Sequence, residues 1–180
     1  MRARRLVRAI VVVLIIGATT LWLVSYHSYQ FRGAGPVKDR GILSHYRYQA
    51  PLGEIPLAKA GTYRLRFSGL PSESLVPLLY VPGAKNDSRE PFASLTTQLT
   101  VEISDATGNV ICAASGSLAG ESWRLYSSPD EGAFWHTRCN GVPFSRHTEY
   151  ELVAHVSDVD PRSPNVQLMA MLEWGGIELP

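Results

Sequence analysis

The sequence lacks the short motifs that mark many enzymes and metal proteins. It has no Gly-x-Ser-x-Gly motif, and the nearest stretch, Ala114-Ser115-Gly116-Ser117, is typical of a turn after a strand. Its five histidines form no His-x-His or His-x-x-x-His pair, the spacings that direct two imidazoles to one metal ion. We therefore predict that the protein is not an enzyme and has no catalytic residue, no metal site and no cofactor.

Other polar residues form weaker candidates for chemistry, each with an ordinary alternative. On one strand face Glu149 and Glu151 would lie about 7 Å apart, a separation that glycosidases use, but such alternation is typical of a solvated face. Four loop carboxylates could bind calcium, but they lack the spacing of a calcium-binding loop. Four histidines could bind zinc only if the fold brought them together from distant strands. The carboxylates are Asp130, Glu131, Asp158 and Asp160, and the histidines are His45, His136, His147 and His155.

The part of the chain that folds also lacks an excess of basic residues. Four arginines before residue 9 carry more positive charge than the net +1 of the whole chain, so the remainder is mildly acidic. A domain that binds nucleic acid needs a basic face to neutralise phosphates. We therefore predict no nucleic-acid partner.

What the sequence does contain is a run of 18 residues without charge, residues 9–26. As a helix it would span about 27 Å, close to the thickness of a bilayer core, and we predict a transmembrane helix. A cleaved signal peptide is the alternative, but the run is long for one and bulky residues follow it. Trp22, Tyr26 and Tyr29 cluster at one end, where aromatic rings suit the membrane interface.

The basic residues predict how this helix is oriented. The arginines of residues 1–8 favour a cytoplasmic N-terminus. Residues 27–41 are polar, contain glycine and proline, and read as a linker, followed by a domain over 42–180 outside the cytoplasm. We predict a single-pass protein of the bacterial inner membrane, with this domain in the periplasm.

The chain has two cysteines, Cys112 and Cys139. Neither lies near the end of the apolar run, so a lipoprotein signal is excluded. An even pair in an exported domain is typical of a disulfide, because that compartment permits oxidation. We predict that they are bonded; two separate buried thiols are the alternative.

Short alternating stretches after residue 42 indicate β-structure, and no window shows a helical repeat. The clearest are residues 62–67, a hairpin over 99–112, a second hairpin over 123–139 that would put Cys139 on a strand, and residues 149–156. Residues 166–172 are apolar on both faces, which predicts a central strand. Residues 71–91 contain four prolines and are predicted to form a long irregular segment between strands.

Seven or eight strands predict an all-β, antiparallel two-sheet sandwich, immunoglobulin-like or jelly-roll, with a closed barrel as the alternative.

Three stretches carry a resemblance: Gly61-x-Tyr63-x-Leu65-x-Phe67, residues 99–110 with Leu99, Val101, Ile103, Gly108 and Val110, and Tyr150-x-Leu152 before the last apolar strand. In these the chain resembles bacterial envelope β-sandwich domains, some of them similar to immunity proteins paired with type VI secretion toxins. The resemblance covers at most residues 61–172 and implies binding without catalysis. This chain departs from the lipoproteins among them by its helix.

These observations favour surface recognition as the function. Trp135, Tyr126 and Trp123 lie on adjacent predicted strands, and such rings anchor protein interfaces or stack on sugars, although core packing is an alternative for each. We predict a membrane-anchored module that binds a protein of the envelope or an incoming toxin. The alternative is a jelly-roll that binds cell-wall or surface glycans.

Overall fold

The computed structural model describes residues 2–28, 31–40, 48–72, 74–81, 94–128, 131–163 and 167–175. The chain divides into two compact units, residues 1–30 and residues 31–180.

The first unit is one helix, α1 (Arg2–Ser28), whose described large hydrophobic side chains are 46–67% exposed. Within the part of the chain that the structure describes, no helix is both long enough and apolar enough to span a membrane. The helix is present where the sequence predicts one, but its transmembrane character is not supported. The side chains of Trp22 and Tyr26, and the whole of Tyr29, lie outside the described residues.

The second unit is a sandwich of two antiparallel sheets. The strands of the described residues are β1 (Lys38–Asp39), β2 (Tyr48–Pro56), β3 (Gly61–Phe67), β4 (Ser74–Val81), β5 (Gln98–Asp105), β6 (Val110–Ser117), β7 (Arg124–Ser128), β8 (Glu131–Trp135), β9 (Val142–Pro143), β10 (Tyr150–Ser157) and β11 (Gln167–Trp174). One sheet has seven strands in the order β1-β2-β11-β4-β8-β7, with β9 on β4, and the other has four in the order β3-β10-β5-β6.

The four-stranded sheet follows the predicted alternation closely. Leu99, Val101 and Ile103 are buried on β5, and exposed or half-buried polar residues lie between them. The predicted β5–β6 hairpin is confirmed, and its turn is held by the Asp105 carboxylate, which accepts hydrogen bonds from the backbone N–H groups of Thr107 and Asn109. One core of buried side chains from both sheets lies between them, and the sandwich prediction is therefore confirmed.

The predicted disulfide is also confirmed. Cys112 on β6 is bonded to Cys139, with the two Cα atoms 5.3 Å apart. Cys139 lies in a short 3₁₀ helix, Thr137–Cys139, so its prediction as a strand residue is wrong. The bond ties the four-stranded sheet to the segment that follows β8.

Two further details concern predicted irregular segments. Residues 71–91 include β4, so the prediction of no regular structure there is wrong for residues 74–81. The described part of the predicted linker, residues 31–40, pairs with the domain: Arg32 bridges Ser68, and Lys38 lies opposite Gln49.

Candidate functional site

Two of the predicted recognition residues lie on the hairpin that β7 and β8 form at one edge of the seven-stranded sheet. The register places Arg124 opposite Trp135 and Tyr126 opposite Ala133. Because side chains alternate along a strand, these four positions share one face of the hairpin. We call Arg124, Tyr126 and Trp135 the hairpin face. Of the four positions, Arg124 is exposed and Ala133 is buried, and the side chains of Tyr126 and Trp135 lie outside the described set.

Trp123, the third predicted recognition residue, belongs to the core. Its side chain is 6% exposed and contacts the ring of His136 edge-on, with ring centroids 5.4 Å apart and an interplanar angle of 78°. Its indole Nε1 is buried and has no hydrogen-bond partner among the described residues. Such a ring supports the fold and is not presented to a partner.

A small cavity between the sheets lies beside these two rings. Its wall includes Trp123, His136, both disulfide cysteines and Val101, and its volume is about 20 Å³. That is space for about one water molecule, far below the 300 Å³ or so that small-molecule sites need. This cavity therefore has no room for a ligand larger than water.

His136 is the buried histidine beside this cavity, 8% exposed. Its Nδ1 accepts a hydrogen bond from the backbone N–H of Arg138 at 3.1 Å, so the neutral ring carries its proton on Nε2. Burial, and next the positive charge of Arg138, lower the pKa of His136 below its ordinary value of 6.5. The imidazole is therefore neutral in the folded protein near pH 7.

Trp123 and His136 lie at the open end of the hairpin. Arg124 and Trp135 are the last pair of opposite residues in its register, Trp123 comes directly before Arg124, and His136 directly after Trp135. Their ring contact therefore continues the hairpin by one position, into the core. The sequence predicted the hairpin but no register for it, so this pairing was not predicted.

The carboxylates proposed for calcium are placed differently. Asp160 is 3% exposed at its side chain, and its oxygens accept hydrogen bonds from the backbone N–H and hydroxyl of Thr96 and from the guanidinium of Arg162. The Arg162 hydrogen bonds, and next that of the Thr96 backbone, hold the pKa of Asp160 far below its usual range. This carboxylate joins the loop after β10 to the segment before β5. Asp130 and the side chain of Glu131 lie outside the described set.

Glu151 occupies the outer face of β10 and is paired with two arginines. Arg64 Nη1 lies 2.7 Å and Arg66 Nε 3.1 Å from its oxygens, and these contacts, that of Arg66 first, lower its pKa. A glycosidase acid needs the opposite, a raised pKa that keeps the proton at neutral pH. Glu149 is exposed and precedes β10, so the two glutamates do not share one strand as predicted.

The remaining histidines do not converge. His155 is exposed on β10, with its Nδ1 3.1 Å from the Thr62 hydroxyl, and His147 is exposed in a loop. His45 lies outside the described residues. Among those described, no three His, Cys, Asp or Glu side chains are grouped as metal ligands would be.

Comparison with known proteins gives no further identification. No protein-family model matches the chain, and no curated protein matches it.

Proposed function

We propose that the protein is a membrane-attached binding module that recognises a protein partner through the hairpin face. The observation that carries this proposal is the shared face of Arg124, Tyr126 and Trp135 at a sheet edge. Tryptophan, tyrosine and arginine are the residue types most enriched at the energetic centres of protein interfaces. The described cavity between the sheets, about 20 Å³, is too small to bind an internal ligand in place of such a surface.

Membrane attachment through residues 9–26 is part of the same proposal. Two observations support it: the run carries no charge, and the described large hydrophobic side chains of α1 are exposed on every side of the helix. Large apolar side chains are more stable when they are covered by protein or by lipid. The arginines before it favour an N-terminus in the cytoplasm and a domain outside, and the Cys112–Cys139 disulfide suits an oxidising compartment. In a Gram-negative bacterium that compartment is the periplasm.

The identity of the partner rests on the resemblance described above. It favours another envelope protein or an incoming toxin. The number of antiparallel strands in two sheets, and not the resemblance, favours an immunoglobulin-like or jelly-roll topology. Glycan binding is the second candidate, because positions 126 and 135 are diagonal in the hairpin register and both carry aromatic residues, a residue type that stacks on sugars.

The test is affinity capture from detergent-solubilised envelope, with the full chain as bait. We expect one stoichiometric polypeptide with the wild type, and its loss with Arg124→Ala and Trp135→Ala. Arg66→Ala is the matched control, because Arg66 is 73% exposed on the other sheet and should not affect capture. Each variant is checked for its disulfide and far-UV circular dichroism, so that a folding defect is separated from lost binding.

The same preparation decides between the two kinds of partner. Retention on immobilised peptidoglycan or polysaccharide, abolished by Trp135→Ala and without a captured polypeptide, contradicts the protein-binding proposal and supports the glycan one. If capture survives Arg124→Ala and Trp135→Ala but is lost with Arg66→Ala, the hairpin face is not the binding surface, and the partner binds the four-stranded sheet.

Membrane attachment is tested separately by carbonate extraction of cells that express the full chain. We expect the protein in the membrane pellet, and a reporter active only outside the cytoplasm should be active when fused after Pro180. Mature chains that begin near residue 30 in a soluble fraction would show cleavage and end this part of the proposal.

A further inference from the structure

The open end of the β7–β8 hairpin depends on a contact that only a neutral histidine can make in full. The Arg138 backbone N–H donates to His136 Nδ1, and the Cys139 backbone N–H donates to the His136 carbonyl at 3.0 Å. On protonation Nδ1 acquires a proton of its own and becomes a donor. Two donors would then face each other across 3.1 Å, and the Arg138 hydrogen bond would be lost.

No described group around His136 offers a negative charge to compensate the imidazolium. The other residues that line the cavity beside the ring come from β4, β5, β6 and β10, together with Trp123 and Cys139. All are apolar or disulfide-bonded apart from the indole N–H of Trp123. The charged group identified near the ring is Arg138, which is itself positive. A buried cation without an anionic partner is unfavourable, so the protonated ring would leave its site.

We propose that His136 is an acid-sensitive latch, a contact that holds the open end of the β7–β8 hairpin closed while the ring is neutral. Its protonation opens the end of the hairpin that carries Arg124 and Trp135, and weakens partner binding at the hairpin face. Arg124 and Trp135 are adjacent in sequence to Trp123 and His136, so release of the ring contact frees the last pair of the hairpin face. The binding part of this inference rests on the proposed function, whereas the opening of the hairpin does not.

The disulfide makes this opening local and reversible. Cys139 lies three residues after His136 and is bonded to Cys112 on the other sheet. The chain after His136 therefore stays attached when the ring moves. The effect expected is a local increase in opening of β7 and β8, with β3 and β10 unchanged.

The first measurement needs no partner. Amide hydrogen exchange of the full chain in detergent micelles is compared at about pH 7.5 and about pH 5.5, on either side of the ordinary histidine range. After correction for the intrinsic pH dependence of exchange, opening of β7 and β8 should rise about tenfold on acidification. This is the factor expected when a histidine of ordinary pKa takes up a proton in the open hairpin and not in the closed one over this pH range. In His136→Asn this rise should be absent, because the Asn side-chain oxygen can accept the Arg138 N–H at both pH values.

Two further variants make the result specific. Arg138→Gln removes the positive charge that helps to lower the pKa of the buried His136 ring, so protonation of the closed hairpin becomes less unfavourable and the rise in opening on acidification should be smaller than in the wild type. Arg138 is exposed, and the fold should tolerate this change. His155→Asn removes a histidine of the other sheet and should respond as the wild type does. An equal rise in wild type and His136→Asn, or a rise spread evenly over all strands, overturns the latch.

The second measurement tests the link to binding. Affinity for the polypeptide captured by the wild type should fall about fivefold or more on acidification, and not in His136→Asn, in the range of ordinary coupling between sites. If the hairpin opens but no partner is captured through the hairpin face, the proposed function fails and the latch stands. If a partner is captured and exchange at β7 and β8 is insensitive to pH, the latch fails and the proposed function stands.

Discussion

At the scale of single residues, Asp160 connects two loops of the domain through several hydrogen bonds. Its buried carboxylate accepts from Thr96 and Arg162, and Arg162 reaches on to the carbonyl oxygen of Ser94 at 2.6 Å. Asp160→Asn replaces one acceptor oxygen by a donor and removes the charge, so we expect a melting temperature several degrees lower. Asp158→Asn is the matched control, because Asp158 is exposed with a φ of 46°, which asparagine also tolerates.

The same carboxylate should make stability depend on pH in strong acid. In the unfolded chain Asp160 takes up a proton near its ordinary pKa of 3.8, whereas the folded carboxylate stays ionised to much lower pH. The stabilisation is therefore complete above pH 3.8 and is lost as the pH falls towards the folded pKa. Denaturant titrations over this range should show a steeper loss in the wild type than in Asp160→Asn. Equal slopes would contradict the role of Asp160.

Trp123 shows what the sequence could not decide about one residue. A tryptophan on a strand fits a binding surface or a core, and only the packing on His136 and the 6% exposure place it in the core. Trp123→Ala should cost about 3–5 kcal/mol, the usual range for removal of a buried large ring, measured by denaturant titration. Trp123→Phe should cost less, because it keeps a ring and removes the unpartnered indole N–H. A cost below about 1 kcal/mol for the alanine variant would show that the ring does not support the core.

At the scale of strands and turns, the alternating stretches were predictable and the proline-containing ones were not. Tyr63, Leu65 and Phe67 alternate with polar residues, and β3 forms there as predicted. β4 contains Pro77, yet it lies between β11 and β8. On one side of β4, Ser74 and Leu75 pair with β9, and pairing with β8 begins only at Leu79, so Pro77 falls in the gap between the two ladders. A proline is tolerated where no ladder bond is required of it, and that gap cannot be read from the sequence.

The disulfide gives a prediction for the segment between β6 and the 3₁₀ helix. It closes a loop of 27 residues, and the chain-entropy model assigns such a loop about 3.5 kcal/mol of stabilisation. The double variant Cys112→Ala with Cys139→Ala should lose about that amount in denaturant titrations. Reduction of the wild type should give the same loss, since both treatments remove the same cross-link. A loss below about 1 kcal/mol would show that the unfolded chain is little constrained by the bond.

Gly53 marks a close approach of the two sheets. It lies on β2 beside a register shift against β11, has a φ of +150°, and a Cβ built there would lie 2.5 Å from Leu65 Cδ2 on β3. Gly53→Ala should therefore destabilise the domain by about 1–3 kcal/mol through backbone strain and displacement of Leu65. Gly61→Ala, where the nearest atom lies at 3.6 Å, should be close to neutral. Comparable melting temperatures for the two variants would contradict the close approach.

At the scale of the whole molecule, composition and strand count were sufficient to predict a disulfide-bonded two-sheet sandwich. They were insufficient for the strand order, because pairing between distant segments depends on packing that no local pattern encodes. The central position of β11 was an exception: residues 168 and 170–174 are all buried, and this two-sided apolar run identified it. The hairpin face was predicted in part, since the aromatic residues were visible but their register with Arg124 was not.

The domain should fold without α1. Residues 31–180 form a compact unit of their own, and the core cluster lies entirely within them. A variant that lacks residues 2–26, directed to an oxidising compartment by a cleavable leader, should yield protein with the Cys112–Cys139 bond and cooperative thermal unfolding. Aggregation of this variant, or free thiols in it, would show that the helix is needed for folding.

The strand order also determines when the protein can fold during its synthesis. β11 is the latest strand of the described chain, and it lies between β2 and β4. Until residues 167–174 have been made, β2 and β4 have no neighbour between them and the core has no central strand. The seven-stranded sheet therefore cannot be completed until nearly the whole domain has left the ribosome, although the strands of the other sheet are made earlier. A chain whose larger sheet is still open can pass through a narrow opening more easily than the finished sandwich can.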